Sequence, residues 1–400
     1  MIPRLKPYTG KEEILALVSR VPDAVNRFEE EFARTFKVKY AIAFSYGRSA
    51  LWAFLKVMDI EDAEIVQPAY TCSVVGHATV LSGNRPRFVD CNLRDYIMDL
   101  SQFEQVINEH TRAVIPTHIF GYPMDVDRVN EIVRQAEKKY GHRIYIIQDC
   151  AHSFDADWQG KPVIKAGDCA LFGLGISKQI TSIFGGMLLT DDGEIASKLR
   201  AWRDEHFSKK SFVEQMRRSL YLLAAMGAFN NTFYGLTYWL QERTPLLKRL
   251  TDAYHLDDVI HFPPDYDRLL STVEARVGSQ QIYKYPYIKS RRNEIAEYYF
   301  DNLKVPDKWA IPPRVEGATY SHFVIRVPER DRVMALAAKQ GVQLGQLIEY
   351  SMPHLPAYLQ YVDDQKFPNS LYCSSHMINL PIHPSLQEYE LNKIITTINN

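Results

Sequence analysis

The sequence has few cysteines and no excess of charge of either sign. Its 400 residues include five cysteines, and 47 Lys and Arg nearly balance 48 Asp and Glu, giving a net charge of −1. Cysteines that are few, odd in number and without the spacing of a metal site predict free thiols in a reducing compartment and no metal centre. Because the charges balance, no broad cationic surface is expected, and nucleic acid is not an expected partner.

A hydrophobic run is also missing from residues 1–6 (MIPRLK), where a signal peptide would have one. We therefore expect a cytoplasmic protein. The chain does contain ample material for a core, since 46% of its residues are hydrophobic and 12% are aromatic, which excludes intrinsic disorder. Its length is typical of one or two domains.

Short β-rich runs alternate with helical stretches between residues 39 and 191. The predicted strands are 40–44, 63–66, 87–89, 113–117, 144–148, 169–174 and 187–190, and the predicted helices include 50–58, 72–81, 100–108 and 126–139. This alternation predicts an α/β fold with a mostly parallel central sheet flanked by helices. Ligands of such sheets bind at the carboxyl ends of the strands.

The second half of the chain predicts a smaller domain. A helical pattern over 267–303 is followed by a strand at 321–327 and a helix at 330–339. We expect a large domain at 1–265, with an apolar helical insert at about 207–250. A small C-terminal α/β domain at 266–400 would be entered by the long helix.

Three polar sites follow predicted strands. Lys178 lies just beyond the predicted strand 169–174, in a run that contains glycines. Asp149 directly follows the predicted strand 144–148, and His152 lies three residues further along the chain. A lysine in a partly dry site can form an imine, and a buried carboxylate can pair with a cationic ring nitrogen. Each has a plainer alternative: a solvated surface lysine, an Asp that caps the next turn, or a structural histidine.

The third site is the run Gly47-Arg48-Ser49, which opens a helix directly after the strand 40–44. A glycine turn at a helix N-terminus presents unpaired N–H groups and the positive end of the helix dipole, which suit a phosphate. The pattern is weak alone, because many strand-to-helix turns contain glycine and serine. The order of the three sites, each after a strand, is more specific.

With these motifs the chain resembles the DegT/StrS family of pyridoxal-phosphate-dependent sugar aminotransferases, of the aspartate aminotransferase fold (fold type I). The resemblance runs from about Ile2 to the C-terminus. It rests on 45–51, 67–71 (QPAYT), 86–90 (PRFVD), 115–121 (IPTHIFG), 149–152, Lys178 with Gly185-Gly186, and 380–384 (LPIHP).

The resemblance implies a role for each site residue. Lys178 falls on the Schiff-base lysine, Asp149 on the acid that faces the pyridine nitrogen, and His152 on a residue that contacts the ring. Gly47, Arg48 and Ser49 fall on the segment that binds the phosphate. It also implies pyridoxal 5′-phosphate as cofactor and a homodimer whose active sites draw on both subunits. The expected reaction moves an amino group, usually from glutamate, to a keto sugar attached to a nucleotide.

This sequence departs from the family pattern at several positions of the site. Arg48 stands where Thr is usual, Gly173 where a phosphate-binding Ser is usual, and Phe184 where Glu is usual. Cys72 occupies a place often held by an aromatic that stacks on the cofactor. Asp267 lies near a place where the family commonly has an Asn that reaches the partner's phosphate. We hypothesise that Arg48 compensates for the lost phosphate donors, because a charge-assisted hydrogen bond is about twice as strong as a neutral one.

Residues 219–241 carry no charge and leave three readings open. They could be a membrane span, a helical pair packed on the body or the dimer partner, or an interfacial element with peripheral membrane contact. Four basic residues nearby suit a lipid headgroup boundary: Lys209, Lys210, Arg217 and Arg218.

The functional prediction is therefore a transaminase, with two alternatives. A sugar dehydratase of the same fold is disfavoured by Lys178, because such relatives carry a histidine there. A non-catalytic binding or regulatory protein at a membrane is the rival from another class. His322, Tyr350 and His354 are plausible residues on the acceptor side, and the acceptor itself is not identified by the sequence.

Overall fold

The computed structural model describes residues 1–230, 234–243 and 259–400. Its strands are β1 (Tyr40–Phe44), β2 (Glu64–Pro68), β3 (Arg85–Val89), β4 (Thr111–Val114), β5 (Tyr145–Asp149), β6 (Asp157–Trp158), β7 (Lys161–Pro162), β8 (Cys169–Gly173), β9 (Gly186–Thr190), β10 (Phe323–Arg326) and β11 (Met377–Leu380).

The helices lie mainly between successive strands of the first half and make up most of the second half. They are α1 (Lys11–Val18), α2 (Ala24–Thr35), α3 (Gly47–Val57), α4 (Ser73–Leu81), α5 (Leu100–Val106), α6 (Val126–Tyr140), α7 (Gly193–His206), α8 (Phe212–Ala228), α9 (Tyr234–Arg243), α10 (Thr272–Asn302), α11 (Arg330–Lys339), α12 (Pro368–His376) and α13 (Glu388–Asn399).

Seven strands form one sheet in the order β1-β9-β8-β5-β4-β2-β3. Neighbours are parallel except at β9, which is antiparallel to both β1 and β8. The predicted fold class, a mostly parallel sheet flanked by helices, is confirmed. Because β9 returns antiparallel to β8, the loop 174–185 between them stays at the edge where β5 and β8 end. That loop carries Lys178.

Both faces of the sheet are buried. In β1, Ala41 and Ala43 pack into a cluster with the aromatic side chains of α2, whereas Ile42 and Phe44 pack into a cluster with α3 and α7. Successive side chains of a strand point to opposite faces, so this alternation shows a sheet covered on each side. These two buried clusters hold the strands in place, and so determine where the loops at the carboxyl ends of the strands begin.

A second core surrounds the two-stranded antiparallel sheet of β10 and β11. Phe323 and Leu380 of these strands pack with Tyr299 of α10 and Ile394 of α13. The helix α10 is 31 residues long and joins this region to the large sheet, where its first half packs against α2. The predicted division at residue 265 stays a prediction.

The described part of the apolar insert contains α8 and α9; residues 231–233 and 244–250 lie outside the described residues. None of the helices in the described ranges is long and apolar enough to cross a membrane. Leu222 of α8 is buried with Ala16 of α1 and Val277 of α10, so α8 packs on the body of the protein.

The expectation that the basic residues beside the insert face a headgroup layer is wrong for Lys210. Its side chain is fully buried, and its ammonium lies 3.0 Å from the equally buried Glu274 carboxylate. Arg218 is also turned inward, because it forms ion pairs with Asp265 and Glu274. A buried cation needs a partner, and α10 provides the carboxylate of Glu274.

Candidate active site

Lys178 lies in the loop that follows β8. Its backbone N–H donates to the Gly175 carbonyl at 2.9 Å, which fixes a tight turn before the side chain. The side chain passes close to Gly173, where an added Cβ would lie 3.6 Å from Lys178 Cε. Burial lowers the pKa of Lys178, and the Cys72 and Asp149 side chains oppose that shift. Burial thus favours the neutral amine, which is the nucleophilic form.

Asp149 is the last residue of β5 and is 5% exposed. Its carboxylate accepts hydrogen bonds from the Ala151 N–H at 3.1 Å and the Thr117 hydroxyl at 3.4 Å. Burial raises the pKa of Asp149, while the Ala151 N–H, the Lys178 charge and the Thr117 hydroxyl oppose the rise. Within the described chain no direct ion pair joins Asp149 to Lys178, so the two groups face the same region without neutralising each other.

His152 follows Asp149 and packs against Phe120. The Phe120 N–H donates to His152 Nδ1 at 3.3 Å, and the two rings are nearly parallel at 6.1 Å between centroids. Burial, followed by the charges of Lys178 and His322, lowers the pKa of His152 well below its ordinary value. The imidazole is therefore neutral at physiological pH. Phe120 itself has a positive φ of 58°, a strained conformation of the kind that collects at functional sites.

Gly47, Arg48 and Ser49 form the first turn of α3. Tyr46 occupies the N-cap position, and its side chain makes no capping hydrogen bond to this turn. Helix N-termini leave backbone N–H groups without partners inside the helix, and these groups attract anions. The Ser49 hydroxyl donates to the Tyr266 carbonyl at 2.7 Å, so its proton is already used within the protein.

Gly47 and Gly173 let this turn lie close to the end of β8. A Cβ on Gly47 would come within 3.1 Å of the Phe172 carbonyl oxygen and 3.3 Å of Gly173 Cα. The turn, the end of β8 and the Lys178 side chain are therefore neighbours. The structure brings three of the predicted site segments together at one edge of the sheet, as the strand order requires.

Cys72, His322 and Tyr350 also belong to this region. Cys72 and His322 both interact electrostatically with Lys178. The His322 ring lies 4.9 Å from that of His152, and burial is the main cause of its strongly lowered pKa. The Tyr350 hydroxyl accepts a hydrogen bond from the Ser73 N–H at 2.8 Å and contacts Cys72.

His354 is placed differently from the other acceptor-side candidates. It is exposed, and its Nδ1 lies 2.9 Å from the Ser351 hydroxyl. Its ring faces Phe367 at 6.4 Å between centroids. None of these contacts reaches Lys178, and the role predicted for His354 stays a prediction.

The departures from the family pattern have definite surroundings. Phe184 packs in an aromatic group with Tyr46 and Tyr221, at 6.1 and 4.8 Å between ring centroids. The Arg48 guanidinium lies 5.8 Å from the centroid of the Tyr46 ring. Asp267 contributes its carbonyl to the Ser208 N–H at 3.0 Å, which joins the chain before α8 to the chain before α10.

Two residues of the site carried no separate prediction. The Thr117 hydroxyl donates a hydrogen bond to the Asp149 carboxylate. The Phe120 N–H donates a hydrogen bond to His152, and the two rings stack. Both lie in 115–121, directly after β4 at the carboxyl edge of the sheet, and this position was the available signal. The positive φ of Phe120 leaves no mark in the sequence.

The geometry can be compared with known proteins. The sequence profile of the DegT/DnrJ/EryC1/StrS aminotransferase family matches residues 18–399. The chain belongs to this family. The resemblance and the predicted class of enzyme, a pyridoxal-phosphate-dependent aminotransferase, are thereby confirmed.

Individual relatives agree with this assignment. A dTDP-3-amino-3,6-dideoxy-alpha-D-galactopyranose transaminase of Aneurinibacillus thermoaerophilus is 27% identical over 380 residues, which cover 94% of this chain and 89% of the relative. The sugar aminotransferase CalS13 of Micromonospora echinospora has a TM-score of 0.79 at 18% identity, covering 100% of this chain and 99% of that chain.

A third similar structure is a DegT DnrJ EryC1 StrS aminotransferase from Brucella abortus. Its TM-score is 0.76 at 21% identity, and the match covers 97% of this chain and 94% of that chain. At such identities the two structures establish the fold type I architecture. They do not identify the substrate of this chain.

Proposed function

We propose that this aminotransferase binds pyridoxal 5′-phosphate through Lys178 and transfers the amino group of an amino-acid donor, glutamate, to a nucleotide-linked keto sugar. The observation that carries the proposal is the shared environment of Lys178 and Asp149. Each lies at the carboxyl edge of the sheet, and the charge of each opposes the shift that burial imposes on the pKa of the other, although no direct ion pair joins them within the described chain.

The residues at this edge fit such a cofactor. Asp149 is buried, and among the residues that the structure describes its carboxylate accepts two hydrogen bonds, which leaves acceptor capacity for a protonated ring nitrogen. The first turn of α3 lacks a side-chain cap and is ready to receive a phosphate. When bound, the cofactor supplies an electron sink for the charge that develops at the α-carbon of the donor.

The chain's own groups would then divide the work. Lys178 would hold the cofactor through its amine, and the same amine would be placed to take up and return the proton of the donor's α-carbon. The carboxylate of Asp149 would pair with the ring nitrogen and favour its protonated form. Burial, more than the nearby charges, lowers the pKa of His152 and favours its neutral form, and the Phe120 N–H orients its ring. His152 could therefore form a hydrogen bond without adding a second positive charge beside Lys178.

The sugar acceptor is proposed from the relatives, among which is a dTDP-sugar transaminase. His322 is the best placed of the predicted acceptor-side residues, because it touches His152 and interacts with Lys178. Tyr350 stands on the Cys72 side of the same region. We keep His354 as a candidate only for a part of the acceptor distant from Lys178.

We further propose a homodimer, as the family resemblance implies. One face of α8 exposes apolar side chains at helical spacing, and these would be covered by a partner: Phe212, Val213, Met216, Leu220 and Leu223. The predicted peripheral membrane contact would use the same face. Sedimentation with and without lipid vesicles separates the two: a dimer that stays in the supernatant supports the dimer interface, and pelleting with vesicles supports membrane contact.

A direct experiment tests the proposed reaction. Purified protein loaded with pyridoxal phosphate should lose its visible imine absorbance when glutamate is added, and regain it with an acceptor chosen from a panel of nucleotide-linked keto sugars. The aminated product is identified by mass spectrometry. A sugar dehydratase would release an unaminated, dehydrated product instead, and a protein that binds the cofactor without any glutamate response would be a binding or regulatory protein.

A further inference from the structure

Tyr46 connects the first turn of α3 to the apolar insert. Its hydroxyl donates to Asp265 Oδ1 at 2.7 Å and accepts a hydrogen bond from Arg218 Nη2 at 2.8 Å. Arg218 also forms an ion pair with the other oxygen of Asp265. Arg218 belongs to α8, so a polar link joins this helix to the residue directly before Gly47.

Arg218 is itself held in place from two further sides. Its Nε lies 3.4 Å from Glu274 Oε1, and its guanidinium lies over the Phe184 ring at 4.0 Å from the centroid. Its side chain is 12% exposed. A cation over an aromatic face is attracted by the ring, more strongly where water is excluded. This contact with Arg218 offers a structural explanation for Phe184 at a position where the family usually has Glu.

The strand β9 also confines the first turn of α3. A Cβ added to Gly186 would lie 2.3 Å from the Tyr46 carbonyl carbon and 2.4 Å from the Gly47 nitrogen. The backbone of residues 46 and 47 therefore rests on β9, while the side chain of Tyr46 is tied to α8. The described structure fixes this turn between the sheet and the insert.

We propose that Tyr46 and Arg218 are positioning residues that hold the N–H groups of this turn in the geometry needed to bind the cofactor's phosphate. The inference rests on the proposed function, since it takes the turn to be the phosphate site. Neither residue needs to touch the reacting atoms. The helix α8 would then stabilise the cofactor site through Arg218, in addition to any role of its exposed apolar face in dimer or membrane contact.

The test compares two ligands that differ only in the phosphate. In Tyr46→Phe the ring and its packing stay, but the hydroxyl that links Asp265 and Arg218 is removed. The dissociation constant for pyridoxal phosphate, measured by absorbance titration, should rise about fivefold to tenfold, because one charge-assisted link is lost. The constant for pyridoxal, which lacks the phosphate, should stay within twofold of wild type.

Arg218→Met tests the same link from the side of α8 and should show the same selective loss. Tyr298→Phe is the matched control, because the hydroxyl of Tyr298 bonds Asn392 between α10 and α13, away from this turn. It should bind both ligands as wild type does.

Two results would overturn the inference. Either Tyr46→Phe binds pyridoxal phosphate within twofold of wild type, or it weakens both ligands equally, as a general loss of folding would. If the wild-type protein binds neither ligand, the proposed function fails and the inference fails with it. Wild-type binding of pyridoxal phosphate with an unaffected Tyr46→Phe variant refutes the positioning role alone.

Discussion

Replacing Gly186 with alanine perturbs the backbone of the first turn of α3, the proposed phosphate site, from the side of β9. The new Cβ would stand 2.3 Å from the Tyr46 carbonyl carbon, 2.4 Å from its oxygen and 2.4 Å from the Gly47 nitrogen. These are backbone atoms, so no flexible side chain can move aside. Overpacking of this kind costs about 1–3 kcal/mol. Since 1.4 kcal/mol is a factor of ten, restoring the turn on binding should weaken pyridoxal phosphate affinity by roughly 5- to 150-fold.

The assay is an absorbance titration with pyridoxal phosphate, paired with urea unfolding of the cofactor-free protein. Gly175→Ala is the matched control, because it lies in the Lys178 loop and its added Cβ would meet nothing within 4 Å. The control should bind the cofactor within twofold of wild type. If Gly186→Ala binds the cofactor as wild type does, or if Gly175→Ala is impaired to the same extent, the close approach of β9 to the turn does not control cofactor affinity.

Three further predictions follow from the site and the core. Gly173→Ser should tighten pyridoxal phosphate binding about tenfold in the same titration, because its Cβ fits at 3.6 Å from Lys178 Cε and its hydroxyl adds a charge-assisted donor; an unchanged constant contradicts this. Asp149→Asn should keep the cofactor but slow the glutamate half-reaction at least about 100-fold in stopped-flow measurements, since a neutral amide does not hold the ring nitrogen protonated. Stability should fall as the pH drops from about 6.5 through 4, because burial lowers the pKa of His118 to about 4.

The sign of the His118 effect follows from its hydrogen bonds. Its Nδ1 accepts from the Met124 N–H at 3.0 Å and its Nε2 lies 2.9 Å from Gln148 Oε1, which together require the neutral ring. The contribution of neutral His118 to the free energy of unfolding is therefore complete above the pKa of histidine in the unfolded chain. It is lost as the pH falls further, because the unfolded chain binds this proton at a higher pH than the folded protein does. Denaturant midpoints between pH 7 and pH 4 should decline less steeply in His118→Gln; an equal decline would contradict the assignment.

The sequence predicted those elements whose signal is local. The strand at 40–44 and the helix at 330–339 have the predicted bounds, because apolar periodicity and flanking polar residues coincide there. The helix predicted from 267 begins at Thr272 instead. Ser271 caps it with Glu274 at the third helical position, a capping box that was readable in the sequence and would have placed the start correctly.

For the site, the order of the motifs along the chain was sufficient to bring Lys178, Asp149 and the α3 turn to one edge. Parallel strands end on the same side, so residues that follow them become neighbours. The links of Tyr46 to Asp265 and Arg218 could not be predicted in this way. They join positions 219 and 172 residues apart, and long-range side-chain pairs of this kind have no local pattern.

The same limit explains the misplaced basic residues of the insert. Lys210 and Arg218 lie in a stretch whose composition suits a headgroup boundary, yet both pair with Glu274, which is 64 residues from Lys210. The composition of a segment shows that it carries charged side chains. Whether such a side chain is buried depends on an oppositely charged partner, which the fold brings from a distant part of the chain.

We propose above that the amine of Lys178 bonds the cofactor aldehyde. Borohydride reduction of the protein loaded with pyridoxal phosphate, followed by proteolysis and peptide mass spectrometry, measures this directly. We expect a pyridoxyl group on the peptide that contains Lys178, and its disappearance in Lys178→Ala. Attachment to a different lysine of the wild-type chain, or no stable attachment after reduction, would show that Lys178 does not hold the cofactor.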